Sequence, residues 1–227
     1  MFKPAEDISE EFNQLALEFE RNGWVANRGQ NKILLYQYLS DQLPSRGELA
    51  LEIGSGLGSF TTSLAEHFDR IIALDLSPEM VRVARKNTHE FTNIEFIIAD
   101  VNMWDFPAGQ FDCVVSITTL HHMPLEPILK KISAALKPGG ILLVGDFFES
   151  RVTHDNINRI LANGKKRLRK IFKFNSQSRP ASSAHWEHDP NERYLPMEEV
   201  RRICDSMLPG AKVVEHLKHY SIVWKKS

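Results

Sequence analysis

The sequence predicts an α/β fold: a mostly parallel sheet of seven strands with an antiparallel last strand and helices on both faces. Short runs rich in Ile, Leu and Val alternate with helical patterns from residue 49 to residue 148. Such alternation is typical of a parallel sheet covered on both faces. Two further apolar runs near the end of the chain are separated by too few residues for a crossover. They therefore predict an antiparallel hairpin that closes the sheet.

Length and composition indicate one domain over residues 1–227, since a chain of 227 residues with 42% hydrophobic and 25% charged residues can bury one sizeable core. The formal net charge of −1 provides no overall attraction for nucleic acid or anionic membrane. The sequence contains no long apolar run and no apolar signal core, so we expect no membrane span and a cytoplasmic location. Cys113 and Cys204 lie in apolar or helical patterns and are expected to be buried thiols.

The first 45 residues predict two helices. Apolar residues at helical spacing over 12–19 mark one face of the first helix, which breaks at 22–23. A second helix is predicted from Gln30 to Leu43, where Pro44 and Gly47 follow.

Residues 46–148 predict the core of the sheet. The five strands are LALEI, RIIALD, IEFIIAD, FDCVVSI and ILLVGDFF. Between them, FTTSLAEHF, SPEMVRVARKNT and LEPILKKISAAL are helical, and KPGG ends the last of these. Ser77 is the expected N-cap of the second helix, with Pro78 at its first position.

Residues 149–195 are polar, basic and aromatic, and we interpret them as an inserted cap. An amphipathic helix is predicted over 156–174, and its basic residues cluster in 164–174. A solvated surface helix that covers the active site is favoured, and a membrane-surface or RNA-binding helix is the alternative. Residues 196–227 predict a final helix, PMEEVRRICDSML, and the two hairpin strands, AKVVEHL and HYSIVWKK.

The stretch LEIGSGLGSF follows the first strand and places glycine at every second position after Glu52. In open α/β sheets the ligand binds beyond the carboxyl ends of the strands, so a nucleotide-like ligand is predicted here. A dinucleotide site requires G-x-G-x-x-G, but the third glycine comes one residue early, at Gly58. A carboxylate at Glu52 would repel a pyrophosphate and attract a cationic ligand.

Two more acids end the next strands. Asp75 follows Glu52 by 23 residues and can accept hydrogen bonds from ribose hydroxyls. Asp100 ends the third strand, where it can accept from an adenine amino group while the Val101 backbone N–H reaches a ring nitrogen. Helix caps or solvated strand ends are the alternative explanation of each acid taken singly.

These motifs together resemble the class I S-adenosylmethionine-dependent methyltransferases, in their small-molecule branch. LALEIGSGLGSFTTSLAE, IIALDLSPEM, IEFIIADV, FDCVVSITTLHHMP and LKPGGILLVGDF resemble the family's motifs in their order. The resemblance implies a Rossmann-like fold and S-adenosylmethionine as cofactor, and FNQLALEFERN resembles the family's N-terminal lid helix. The cofactor-binding residues that it implies are Glu52, Gly54, Ser55, Gly56, Asp75, Leu76, Asp100, Val101 and Ser116, the last through its backbone carbonyl.

The expected reaction is in-line methyl transfer to a small-molecule acceptor that the sequence does not identify. His121 and His122 follow the fourth strand and are candidates for a general base, although a supporting role for one and solvent exposure for the other is favoured. The histidines and glutamate of HWEHDP lack a second cluster at fixed spacing, so no metal is predicted. A non-catalytic nucleotide-binding regulator and an RNA methyltransferase that uses the helix at 164–174 remain alternatives.

Overall fold

The computed structural model describes residues 2–21, 30–149 and 194–227, and the side chains of 30–33 are not described. The chain divides into two units, one formed by Met1–Phe148 with Tyr194–Ser227 and one by Glu149–Arg193. The predicted basic helix lies outside the described residues, as does nearly all of the predicted cap. The sheet and the candidate site belong to the first unit.

The first unit contains a seven-stranded sheet in the order β3-β2-β1-β4-β5-β7-β6. The strands are β1 (Gly47–Ile53), β2 (Phe68–Asp75), β3 (Ile94–Ile98), β4 (Phe111–Ile117), β5 (Leu136–Phe147), β6 (Lys212–Glu215) and β7 (His219–Lys225). β7 runs antiparallel to both of its neighbours, and the other neighbouring strands pair in parallel. The predicted parallel sheet with an antiparallel last strand is confirmed.

The strand order reverses between β1 and β4. The chain moves outward from β1 to β2 and β3 on one side, then returns to β4 and continues to β5 on the other. The connections after β1 and after β4 therefore diverge from neighbouring strand ends. This divergence opens the crevice in which α/β sheets bind their ligands.

Helices cover both faces of the sheet. They are α1 (Ala5–Arg21), α2 (Gln30–Ser40), α3 (Thr61–His67), α4 (Pro78–Asn87), α5 (Leu125–Ala135) and α6 (Met197–Met207), with a 3-10 turn at Leu120–His122. One buried cluster joins the sheet to α5 and α6, and another joins the opposite sides of the same strands to α2, α3 and α4. In β4, Val114 faces the first cluster and Cys113 and Val115 face the second. This is the alternation that a pleated strand imposes.

The first helix packs on α4. Ala16 is fully buried against Met80 and Val83, and aromatic side chains of α1 flank the contact. Its predicted role as a lid stays a prediction. Among the described helices, none is long and apolar enough to span a membrane.

Several element boundaries differ from the predicted ones. The KPGG segment after α5 does not separate helix from strand, because β5 begins at Leu136 and includes this segment. The pairing of β5 with β4 shifts register between Phe111 and Cys113. β2 begins at Phe68, two residues early, and α2 ends at Ser40. Local propensity predicts the two strand starts poorly because pairing with a neighbouring strand decides them. The predicted N-cap is confirmed, since the Ser77 side chain accepts a hydrogen bond from Met80 N.

Candidate active site

The glycine loop after β1 is held against the end of β2 by its own backbone. Gly54 N and Ser55 N both donate to Leu74 O, at 2.8 and 2.9 Å. Gly56 N donates to Asp75 Oδ2 at 2.7 Å. Three successive loop positions are thereby tied to the neighbouring strand, so the loop is in place before any ligand arrives.

Glu52 lies near the end of β1 with only 3% of its surface exposed. Its Oε2 accepts a hydrogen bond of 2.5 Å from Thr61 Oγ1, at the start of α3. Burial raises the pKa of Glu52 to about 8; the Thr61 hydrogen bond opposes the shift and the nearby Asp75 charge adds to it. Without a ligand, Glu52 is therefore mostly protonated at neutral pH, and a cation placed beside it would draw it into the charged form.

Asp75, the last residue of β2, connects the glycine loop to α4. Besides the bond from Gly56 N, its Oδ1 accepts from Ser77 N at 2.9 Å. Burial raises the pKa of Asp75, and the backbone hydrogen bonds from Ser77, Gly56 and Leu76 oppose this shift. The carboxylate thus holds together the two loops that border the crevice at β1 and β2.

Two glycines of the loop are required for different reasons. Gly54 has a φ of +75°, and a Cβ there would lie 2.0 Å from Thr119 Oγ1. Gly56 has a φ of +52°, but a Cβ there would meet no described atom within 4 Å. Gly54 is therefore demanded by the protein itself, whereas Gly56 borders open space that a ligand can fill.

The open space beside Gly56 fits the ligand that the sequence implies. The buried Oγ of Ser55 has no hydrogen-bond partner among the described residues. Buried hydroxyls are usually paired, so this one is available to a bound molecule. A buried carboxyl group, an unpaired hydroxyl and an open glycine together suit a ligand with a cationic, hydrogen-bonding end.

The remaining predicted binding residues lie around the same edge of the sheet. Asp100 Oδ1 accepts from Asn102 N at 2.8 Å, which caps the turn after β3. The Val101 side chain is buried in the core, and Leu76 O accepts from Ser9 Oγ of α1 at 3.1 Å. Ser116 is fully buried, and its Oγ donates to Ile53 O at 3.0 Å. Their predicted cofactor contacts stay predictions.

The turn after β4 contains the two candidate histidines, and the structure holds one of them firmly. His121 N donates to Asp146 Oδ2 at 2.9 Å, and His121 Nδ1 lies 2.6 Å from Asp146 Oδ1. A carboxylate accepts at that distance, so Nδ1 carries a proton. The prediction that one histidine is solvent-exposed is wrong: His122 is half-buried, because its ring packs edge-on against Phe12 at 5.5 Å.

Aromatic rings surround His121 at the carboxyl ends of β4 and β5. The ring centroids of Tyr194 and Phe147 lie 5.3 and 5.7 Å from that of His121. His219, the first residue of β7, lies 4.3 Å from Phe147. A planar, partly apolar wall therefore adjoins the histidine.

Sequence reasoning missed three residues of this site. Asp146 had a readable signal, since it is a charged residue within an apolar strand, and it is fully buried. Thr61 and Thr119 had none, because threonine at a helix start or in a turn is common. Only the packing reveals that they contact Glu52 and the space above Gly54. No group of His, Cys, Asp and Glu among the described residues could hold a metal ion.

Comparison with known proteins shows which family of domains this part of the chain is similar to. A family model described as "Methyltransferase domain" matches residues 51–144, which run from the end of β1 through most of β5 and include the glycine loop, Asp75, Asp100 and the histidine turn. Residues 51–144 of this chain are thus similar to a methyltransferase domain.

Curated relatives match this chain over part of their length. A ubiquinone biosynthesis O-methyltransferase of Xanthomonas axonopodis pv. citri is 30% identical over 161 residues, 66% of this chain and 64% of the relative. A demethylmenaquinone methyltransferase of Tropheryma whipplei is 27% identical over 150 residues, 66% of this chain and 62% of the relative. The match thus spans less than two thirds of these relatives' own lengths.

A solved structure has the same fold as this chain. The complex of DhpI with SAH superposes with a TM-score of 0.68 at 21% identity, covering 98% of this chain and 97% of DhpI. At that level of identity the likeness extends to the fold alone.

Proposed function

We propose that this protein transfers a methyl group from S-adenosylmethionine to a small-molecule acceptor. The observation that carries the proposal is the buried Glu52 carboxyl group beside the open space at Gly56. A pyrophosphate beside this carboxyl group would oppose its ionisation, whereas an ammonium or sulfonium group would favour it. DhpI, which shares the fold, was solved as a complex with SAH, and this supports the same cofactor class.

Each side of the proposed cofactor has a residue of suitable chemistry. Glu52 and Ser55 would face the charged amino-acid end, and Asp75 the ribose. Asp100 and the Val101 backbone would meet the adenine edge. When bound, S-adenosylmethionine supplies a methyl group already activated by its sulfonium charge. The protein's main contribution is then to align acceptor and methyl group, which is worth several kcal/mol in comparable cases.

The histidine turn supports an acceptor that loses a proton. We assign the role of base to His121: Asp146 accepts from its Nδ1, and its Nε2, which is buried in this structure, would take the proton of a hydroxyl as the hydroxyl oxygen attacks the methyl carbon. The C–O bond forms as the C–S bond breaks, and S-adenosylhomocysteine leaves as a neutral thioether. A general base of this kind contributes about 10²–10⁴ in rate.

We further propose that the acceptor is a hydroxyl group on a planar ring. Phe147 and Tyr194 lie against His121 and can pack on a flat, partly apolar molecule. The named activities of the relatives, ubiquinone biosynthesis O-methyltransferase and demethylmenaquinone methyltransferase, are compatible with a quinol-like acceptor.

Turnover with defined acceptors tests this proposal. The full chain is incubated with S-adenosylmethionine and either catechol-type and hydroquinone-type compounds or phosphoethanolamine, and S-adenosylhomocysteine is measured. Product with the ring hydroxyls alone is the expected outcome. Product with phosphoethanolamine alone would overturn the acceptor class and leave the cofactor standing. A non-catalytic regulator would be favoured if calorimetry shows that S-adenosylmethionine binds but none of these acceptors, nor a small-molecule cell extract, gives S-adenosylhomocysteine. Formation of S-adenosylhomocysteine with RNA as the acceptor would favour the RNA methyltransferase that uses the predicted basic helix.

The proposed base is tested with paired histidine variants. H121Q should lower kcat at least a hundredfold and leave the Kd for S-adenosylmethionine within about twofold. H89Q, at an exposed histidine on the surface, serves as the matched control. A larger loss in H122Q than in H121Q would mean that His122 is the base and that the assignment to His121 is wrong.

A further inference from the structure

Among the described residues, Thr118 is the only one other than glycine with a positive φ, at 54°. This conformation is a genuine outlier for a β-branched residue, whose side chain crowds the backbone there. Such outliers persist only where the surroundings hold them, and they cluster at functional sites. Thr118 lies at the end of β4, between Ser116 and His121.

Contacts from three directions hold the backbone around Thr118. Thr118 N donates to Gly145 O of β5 at 2.7 Å. The next residue, Thr119, lies directly over Gly54, where no Cβ would fit. Two residues further on, His121 makes its two contacts with Asp146, the neighbour of Gly145. The left-handed turn at Thr118 therefore links three contacts: the hydrogen bond to β5, the contact of Thr119 with the glycine loop, and the contacts of the proposed base with Asp146.

We infer that Thr118 is a positioning residue: its left-handed backbone turns the chain so that Thr119 seats on the glycine loop and His121 reaches Asp146. Threonine does not prefer this turn, so the contacts on either side hold its backbone within a narrow left-handed region. Glycine would adopt the same turn without strain but would also leave it readily. The inference rests on the proposed function for its effect on catalysis, but its structural part does not.

The hydrogen bonds that hold the glycine loop should survive a loosened Thr118, although Thr119 contacts Gly54. Gly54 N and Ser55 N are bound to Leu74 O, and Gly56 N to Asp75, without any help from the β4 turn. A change at Thr118 is therefore expected to affect the proposed base and to spare cofactor binding. This separation distinguishes positioning from a general loss of structure.

Amide hydrogen exchange with T118G tests the structural part. We expect the His121 amide, which donates to Asp146, to exchange at least tenfold faster in T118G, while the amides of β1 and β4 keep their rates. T118N is the conservative variant, because asparagine tolerates the left-handed region far better than other residues. It should restore slow exchange at His121. Unchanged exchange in T118G, or equal acceleration of every amide, would overturn the inference.

Kinetics test the catalytic part. T118G is expected to lower kcat about tenfold with the Kd for S-adenosylmethionine within about twofold, and T118N should recover most of the loss. If T118N is as impaired as T118G, the threonine side chain matters and not the backbone conformation, and the inference is wrong. If exchange at His121 accelerates as expected but no acceptor is methylated by the parent protein, the proposed function fails and the positioning role stands.

Discussion

At the scale of single residues, the charge state of Glu52 in the structure differs from the one that the sequence suggests. From the sequence alone it is a fixed negative charge that repels pyrophosphate. Burial raises its pKa to about 8, so the unliganded group is largely neutral at physiological pH. The selectivity survives in another form, because a cationic ligand stabilises the charged state and an anionic ligand opposes it.

This makes cofactor binding dependent on pH. Because a cation favours ionised Glu52, binding should release a proton below pH 8, and the affinity for S-adenosylmethionine should rise between pH 6 and 7.5 by up to about tenfold per pH unit. Calorimetry in two buffers of different ionisation enthalpy measures the proton released. E52Q should bind more weakly at pH 7.5 and lose the rise. Proton release that persists in E52Q would contradict the assignment to Glu52.

The same shift affects the unliganded protein. The folded-state pKa of Glu52 lies above its ordinary value of 4.5. Its contribution to stability is therefore fully present below about pH 4.5 and is lost as the pH rises through about 8. The free energy of unfolding of wild type minus that of E52Q should therefore decrease between about pH 4.5 and pH 8. A difference that grows with pH would mean that Glu52 is held in its charged form.

Asp75 offers a second residue-scale prediction. Its carboxylate accepts from Gly56 N and Ser77 N, so D75A leaves two backbone donors unpaired as well as removing the proposed ribose contact. We expect the Kd for S-adenosylmethionine to rise more than tenfold, measured by calorimetry on folded protein. D75N keeps an oxygen acceptor and should lose less. Equal Kd values in wild type and D75A would place the cofactor elsewhere.

At the scale of elements, α1 is bound to the start of α4 and to the histidine turn. Asn13 Oδ1 accepts from Ser77 Oγ at 2.7 Å and from Glu79 N at 3.3 Å, which extends the N-cap of α4. Phe12, its neighbour on the helix, contacts His122. One helix thereby contacts both the start of α4, on the proposed cofactor side of the crevice, and the histidine turn, on the proposed acceptor side.

We expect the attachment of α1 to depend on its partly buried polar contacts more than on its surface charges. N13A should lower the free energy of unfolding by about 1 kcal/mol, as expected for a lost cap contact. N13D retains an acceptor and adds a charge that a helix N-terminus favours, so it should be at least as stable as wild type. E20Q, which removes exposed ion pairs to Arg82 and Lys86, should cause no measurable change. Chemical denaturation measures all three, and a larger loss in E20Q than in N13A would refute the ranking.

At the scale of the whole molecule, the sheet brings the site together from segments far apart in sequence. β1 and β4 are neighbours although more than fifty residues separate them. β7 pairs with β5 along its length, from Ile141 opposite Lys225 to Phe147 opposite His219. The last strand thus supports the strand end that holds Asp146 and Phe147.

Binding at this crevice should stabilise the entire fold. S-adenosylmethionine at a hundred times its Kd is expected to add about 2.7 kcal/mol. For a chain of this size that corresponds to a rise in Tm of about 5–10 °C, which differential scanning calorimetry measures. D75A at the same ligand concentration should show a smaller rise. A matching rise with NAD would contradict the choice of cofactor.

The sequence predicted some parts of the site far better than others. Ser77 and Pro78 mark the start of α4 because a cap acts through bonds within four residues. The order and type of the strands follow from local hydrophobic patterns. The bond between Gly56 and Asp75, 19 residues apart, and that between His121 and Asp146, 25 residues apart, depend on which strands become neighbours. No local pattern contains that information.

The sequence by itself determined the α/β class, the antiparallel closing strand, the position of the glycine loop and the acids that lie at or just beyond the ends of the first three strands. These features arise from periodicity, turn chemistry and composition, which act over a few residues. Only the tertiary structure decided that Glu52 is largely neutral before a ligand binds, that Gly54 makes room for Thr119 while Gly56 borders open space, and that Asp146 accepts from Nδ1 of His121. Each of these depends on burial and on contacts between strands, and both exist only once the sheet has formed.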